Sequence, residues 1–207
     1  MNRDRQLARI YEDCRRLLGE VYRDEPRIPV MGEGNPNSPL MMVGEAPGEQ
    51  ETLQRRPFVG KAGKNLDEFL RVVELRREDI FITNVVKFRP TKVNERTGSL
   101  SNRPPTREEI LLCRRFLMRE IECVQPSVLV TLGNTPLQAI LQDKTVIGAV
   151  HGTRIPVSVE GVDLILFPLY HPASIIYNRA LAPVYHGDLE QLKAFLQIQD
   201  IFPGFPR

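Results

Sequence analysis

Three short apolar runs constrain the fold more than anything else in the chain: Leu40 to Val43 (LMMV), Asp79 to Asn84 (DIFITN) and Ser127 to Leu132 (SVLVTL). Each is too short for a helix, and each is bounded by turn residues or a change of polarity, so each reads as a strand. The stretches between them have a different period. Residues 64 to 75 carry Leu66, Phe69, Leu70 and Val73 at i, i+3, i+4 and i+7, which is one buried helix face. Residues 1 to 18 repeat the pattern with Leu7, Ile10, Cys14, Leu17 and Leu18. Thr106 and Glu109 have the spacing of a capping box and open a helix to about Val124, with Ile110, Cys113, Leu117 and Ile121 inward. Asn134 or Thr135 with Pro136 starts another helix, and a last one runs from about His186 to Gln197. Thr153 to Ser158 and Val162 to Phe167 flank Glu160-Gly161 and read as a hairpin, its first arm placed at an edge by Pro156. Strands alternating with helices predict an α/β sandwich on a mostly parallel sheet, in one domain spanning 1 to 207. Residues 1 to 27 form its N-terminal helical segment, and 199 to 207 a loosely held tail.

Polar signals gather where these strands end. The first run breaks into Gly44-Glu45-Ala46-Pro47-Gly48 and continues to a second glycine turn at Gly60 and Gly63; Asn84 closes the second; the last hairpin arm leads into Tyr170-His171-Pro172. Open α/β sheets bind ligands at the carboxyl ends of their strands, so a shared pocket is expected there. Lys87 to Pro105 is polar, proline-rich and long for a connection, and reads as a functional or partly mobile loop.

Composition narrows the function classes. A formal charge of +2 on 207 residues allows a local nucleic-acid-binding patch without arguing for one. No apolar run approaches the roughly 18 residues of a membrane helix, and the charged N-terminal stretch has no apolar signal core, so a cytoplasmic protein is expected. Cys14, Cys113 and Cys123 are scattered and suggest neither a disulfide framework nor a complete metal site.

The order and spacing of Pro39 to Gly63, Ile82 to Pro90 (ITNVVKFRP), Asn102 to Thr106 (NRPPT) with Glu109 and Cys113, and Leu169 to Ile176 (LYHPASII) resemble the family 4, or thermostable type, uracil-DNA glycosylases. The resemblance covers about residues 28 to 196. It implies a three-layer sandwich with a four-stranded parallel sheet, and an enzyme that flips uracil out of DNA and cleaves its N-glycosidic bond. It places Glu45 and Ala46 beside the base, Phe58 on the uracil ring, Asn84 at the base edge, His171 at the leaving oxygen and Glu51 close to the pocket. It also implies an iron-sulfur cluster on four cysteines, and here this sequence departs. Phe88 stands at the third ligand position, Cys113 at the fourth, and no cysteine lies in Leu17 to Val30 where the first pair belongs. One ligand cannot hold a cluster, so no cofactor is expected. The Thr91 to Ser101 loop is lengthened and has no His, so covalent trapping of DNA is not expected.

These residue types suit the chemistry. An aromatic ring covers the face of an extruded base, and an amide offers both the donor and the acceptor that a uracil edge needs. His171 can donate to the oxygen where charge develops, with Glu45 or Glu51 placing a water. Arg55, Arg56, Lys61, Lys64, Arg89 and Arg179 are candidates for phosphate contacts, and Ile175 or Ile176 for an apolar wedge or for core. Two other readings stay open: a DNA-binding or damage-recognition module without turnover, and a glycosylase for hypoxanthine or xanthine. A monomer acting on uracil-containing DNA, away from membranes, is the expected form.

Overall fold

The computed structural model describes residues 2 to 202, without the side chains of Ile176 and Tyr177. Helix α1 (Arg3–Val21) is capped by the Asn2 side chain and leads to the short β1 (Glu33–Gly34) and to β2 (Leu40–Gly44). Then come α2 (Glu49–Gln54), α3 (Lys61–Val72) and β3 (Phe81–Asn84). The ribbon strands β4 (Thr91–Val93) and β5 (Leu100–Asn102) precede α4 (Arg107–Val124). The chain closes with β6 (Val128–Leu132), α5 (Asn134–Leu141), α6 (Ile147–Val150), β7 (Ile155–Val159), β8 (Val162–Leu169), α7 (Pro172–Tyr177) and α8 (Ala182–Ile198).

The main sheet has the order β1-β3-β2-β6-β8-β7. Its four inner strands are parallel, in registers that pair Gly44 with Asn84, Met42 with Val130, and Leu132 with Leu169. Helices cover both faces, so the inner strands are apolar on both sides. Met41 and Val43 of β2 join the cluster under α1 and α4, while Leu40 and Met42 join the one under α3 and α8. The expected α/β class and parallel core are present.

The strand count differs from the expected four, because antiparallel strands close both edges. β1 is two residues long, and pairing at Glu33↔Ile82 is a long-range matter that no local period announces. β7 carries Pro156 at the outer edge, where its missing N–H is harmless. The Lys87 to Pro105 segment is built as a ribbon rather than a plain loop, with Val93 opposite Leu100 and a turn in which Asn94 Oδ1 accepts from the amides of Arg96 and Thr97. Its strands are three residues each and largely exposed, so no apolar pattern marks them. The capping box is as expected: Glu109 N donates to Thr106 Oγ1 at 3.3 Å and Thr106 N to Glu109 Oε2 at 2.7 Å. Helix α8 starts earlier than its apolar period, at Ala182, with Pro183 in its first turn. Of the tail expected from 199, the part beyond 202 lies outside the described residues.

Candidate active site

The carboxyl ends of β2, β3, β6 and β8 open into one cavity of about 740 Å³. Glu45, Ala46, Glu51, Phe58, Asn84 and His171 all line it, as do Lys61 and Arg89. The strand ends position these side chains because the parallel registers align Gly44 with Asn84 and bring Leu169, two residues before His171, beside Leu132.

Gly44 is where the walls meet. A Cβ there would collide with Asn84 Oδ1 and with the Phe58 ring, so only glycine lets ring and amide approach this closely. Phe58 has a positive φ of 53°, and Arg77 donates to its carbonyl as well as to that of Gly63 at 3.3 Å. The main chain that carries the ring is thus held. Asn84 is 4% exposed, and among the described residues its amide makes no hydrogen bond, so its donor and acceptor are left for a ligand.

His171 caps α7, and its Nδ1 accepts from Ala173 N at 3.1 Å. That bond leaves the proton on Nε2 in the neutral ring, and burial holds the imidazole below its ordinary value of 6.5. A neutral N–H donor is the result. Asn65 Nδ2 fixes the same loop through the Pro172 carbonyl at 3.0 Å.

The two glutamates differ. Thr135 Oγ1 donates to Glu45 Oε2 at 2.5 Å, which fixes the carboxylate through one oxygen. Glu51 is enclosed by backbone: Gly48 N donates to Oε2 at 3.1 Å, and Val59 N and Gly60 N donate to Oε1 at 2.9 and 2.6 Å. It ties the two glycine turns together.

The basic candidates are dispersed. Arg89 donates to Asn102 Oδ1 at 2.6 Å and reaches Glu49 at 3.3 Å. Arg56 is paired with Glu33 at 2.9 Å, away from the cavity wall. Arg55, Lys64 and Arg179 are exposed and outside the lining. Ile175 is half-buried on the α3 and α8 cluster, and the side chain of Ile176 lies outside the described residues. His151 bonds Asp188 at 2.8 Å and packs on the Tyr170 ring, and His186 is exposed on α8. Sequence reasoning passed over Asn102, Asn134, Thr135 and Arg77. The GNTP run after β6 had signalled only a helix start, and its position at a strand end was the available clue.

The cluster implied by the resemblance does not fit. Phe88 is fully buried, its ring edge-on to Tyr22 at 5.1 Å, with the Arg27 guanidinium 5.2 Å from the Tyr22 ring. Apolar packing fills the position of the third ligand, and Cys113 and Cys14, thiols buried in the same cluster, are fewer than the four an iron-sulfur cluster needs. Among the described residues, no three His, Cys, Asp or Glu side chains are grouped to hold a metal ion.

A planar heterocycle could lie against Phe58 with its edge on Asn84 and an oxygen at His171. Comparison with known proteins shows the family. The family model described as uracil DNA glycosylase superfamily matches residues 31–197. The type-4 uracil-DNA glycosylase of Thermotoga maritima is 40% identical over 171 residues, 81% of this chain and 83% of that protein. The type-4 enzyme of Archaeoglobus fulgidus is 39% identical over 79% of each chain. That of Saccharolobus solfataricus is 37% identical over 83% of this chain and 78% of its own.

Proposed function

The chain belongs to the uracil-DNA glycosylase superfamily and acts as a hydrolytic uracil-DNA glycosylase in base-excision repair, and from that premise we propose how its own residues do the work. A base within a duplex is out of reach, so uracil is turned out of the stack into the cavity. Phe58 covers its face. The Asn84 amide donates to O4 and accepts from N3–H; cytosine presents the opposite pattern and is refused.

When the N-glycosidic bond breaks, its electron pair leaves with the base and the sugar becomes oxocarbenium-like. His171 Nε2–H donates to O2, where the negative charge gathers, a contribution of ~3 kcal/mol. Glu45, with Oε2 fixed by Thr135, keeps Oε1 for the attacking water and the cation. Ala46 leaves room at the sugar and orients nothing. Glu51 holds the turns, since its oxygens already accept three amides. Lys61 and Arg89 at the rim, with Arg55, Lys64 and Arg179 further out, contact phosphates, and Arg56 contributes only by leaving Glu33. Ile175 is core first and a wedge second. The enzyme works as a cytoplasmic monomer, one domain from 1 to 207, without a cluster. No described helix is long and apolar enough to cross a membrane.

The observation that carries this reading is the meeting of Phe58, Asn84 and the neutral His171 in one cavity. Oligonucleotides carrying uracil, hypoxanthine or xanthine, treated with alkali after incubation, test it. Strand breaks at uracil alone, lost in Asn84→Ala, are expected. Binding without breaks would favour the recognition module, and faster breaks at hypoxanthine or xanthine would reassign the base.

A further inference from the structure

Directly behind the base-reading amide lies a charged pair that the chemistry above does not use. Lys87 and Glu120 are both fully buried, and Lys87 Nζ lies 2.6 Å from Glu120 Oε2. The ammonium has three donors, and each has an acceptor: Glu120, Thr83 Oγ1 at 2.7 Å and the main-chain oxygen of Asn84 at 2.7 Å. Thr83 Oγ1 also bonds Glu120 at 3.0 Å. Tyr11, from α1, faces the same carboxylate, and burial together with that charge pushes its phenol up.

A buried ion pair is weak evidence for stability, because desolvation offsets much of the attraction. Its placement points elsewhere. β1 pairs with β3 only as far as Ile82, so among the described residues no strand stands beside Asn84 on that side. On the other, the amides of Val85 and Val86 continue the pairing with Gly44 and Glu45. The Asn84 carbonyl therefore takes its partner from a side chain, and that partner is Lys87. We propose that Lys87, held by Glu120 and Thr83, is the positioning residue that fixes the peptide carrying the Asn84 amide at the angle uracil requires.

The inference rests on Asn84 as the base reader, so Asn84→Ala is the first control. Single-turnover cleavage of a uracil-containing single strand and thermal melting are measured together. Lys87→Met alone strands Glu120 and lowers the melting temperature. Lys87→Met with Glu120→Leu replaces the pair by apolar groups and should recover the melting temperature. Its cleavage rate should stay about 10- to 100-fold down, the scale of loss for a misplaced reacting group. Affinity for uracil-free DNA should not change. Glu120→Gln keeps an oxygen for Nζ and should cleave close to the parent rate even if it melts earlier. Thr83→Val removes one of the three acceptors and leaves a buried ammonium donor unpaired, so it should melt earlier; it carries the test should the double variant fail to fold, and well below its melting temperature it should still cleave slowly. Parent rates in the double variant, or in Thr83→Val where only that one folds, would overturn the inference. So would rates that follow melting temperature across the set. If Asn84→Ala itself cleaves normally, the fault lies with the base-reader assignment instead.

Discussion

At His171 one backbone hydrogen bond decides what the side chain can do. With Nδ1 accepting from Ala173 N, the ring is a neutral donor through Nε2. A proton added to Nδ1 would set two donors face to face and break the cap. Burial also disfavours the cation and holds the group below 6.5. The sign follows: the unfolded chain takes up this proton first, so stability is unaffected well above 6.5 and falls as the pH drops below it toward the folded value. The single-turnover rate should therefore stay level from alkaline pH down to about 6.5 and decline only below that. An acid limb centred above the ordinary imidazole value, and abolished in a His171 variant, would contradict this. His171→Ala should slow cleavage about 10²-fold on single-stranded and duplex uracil alike, since the lost donor acts on bond breaking. A loss confined to duplex would make His171 a groove contact. Asn84 and His171 were legible as candidates because each stands at or just past a strand end with side-chain chemistry that fits a ligand, whereas Phe58, between α2 and α3, came only from the resemblance. Thr135 and Arg77 were not, because each acts through an atom brought close only by the fold.

Between elements, the carboxylate of Glu51 does the joining. It collects amides from the Gly48 turn that opens α2 and the Gly60 turn that opens α3, and so sets where Phe58 stands between them. Glu51→Ala would leave three partly buried donors without an acceptor, at about 1–3 kcal/mol for each one that water does not reach. Glu51→Gln keeps one oxygen and should fall between. Both should melt earlier in that order, and both should lose cleavage through the displaced ring rather than through a missing base. If Glu51→Ala melted like the parent but failed to cleave, Glu51 would return to the chemistry. The long elements were legible because periodicity and capping are local signals, as in α4 with Thr106 and Glu109. Helices α2 and α6, of six and four residues, and the β4-β5 ribbon were not. Their sequences are too short or too polar to carry a period, and neighbouring elements hold them in place.

On the scale of the molecule, the sequence revealed the class and the β7 edge marked by Pro156, but not the β1 edge of the sheet. Apolar runs declare burial on two faces, whereas the partner of β1 is set 49 residues away in register, at Glu33↔Ile82. The same scale governs how the segment after α1 is fastened. The four cysteines that the resemblance implies would tie this segment, the chain after β3 and α4 together. Here Val30 N donates to the Lys87 carbonyl at 2.7 Å, Pro29 bridges to Phe88, and Tyr22 packs edge-on to Phe88 with the Arg27 guanidinium over both rings. These contacts fasten the segment by packing. Phe88→Ala should then cost ~3–5 kcal/mol, the range for a large ring removed from a closed core, and should loosen residues 22 to 30 against amide exchange. Phe88→Cys should not gather iron, since Cys113 and Cys14, buried in the same cluster, would be its thiol partners and three thiolates fall short of the four a cluster needs. By the same reasoning, the purified parent should be colourless, and a strong iron chelator should change neither its melting temperature nor its rate on uracil. Iron in stoichiometric amount, or activity that a chelator removes, would show that ligands outside this packing hold a cluster after all.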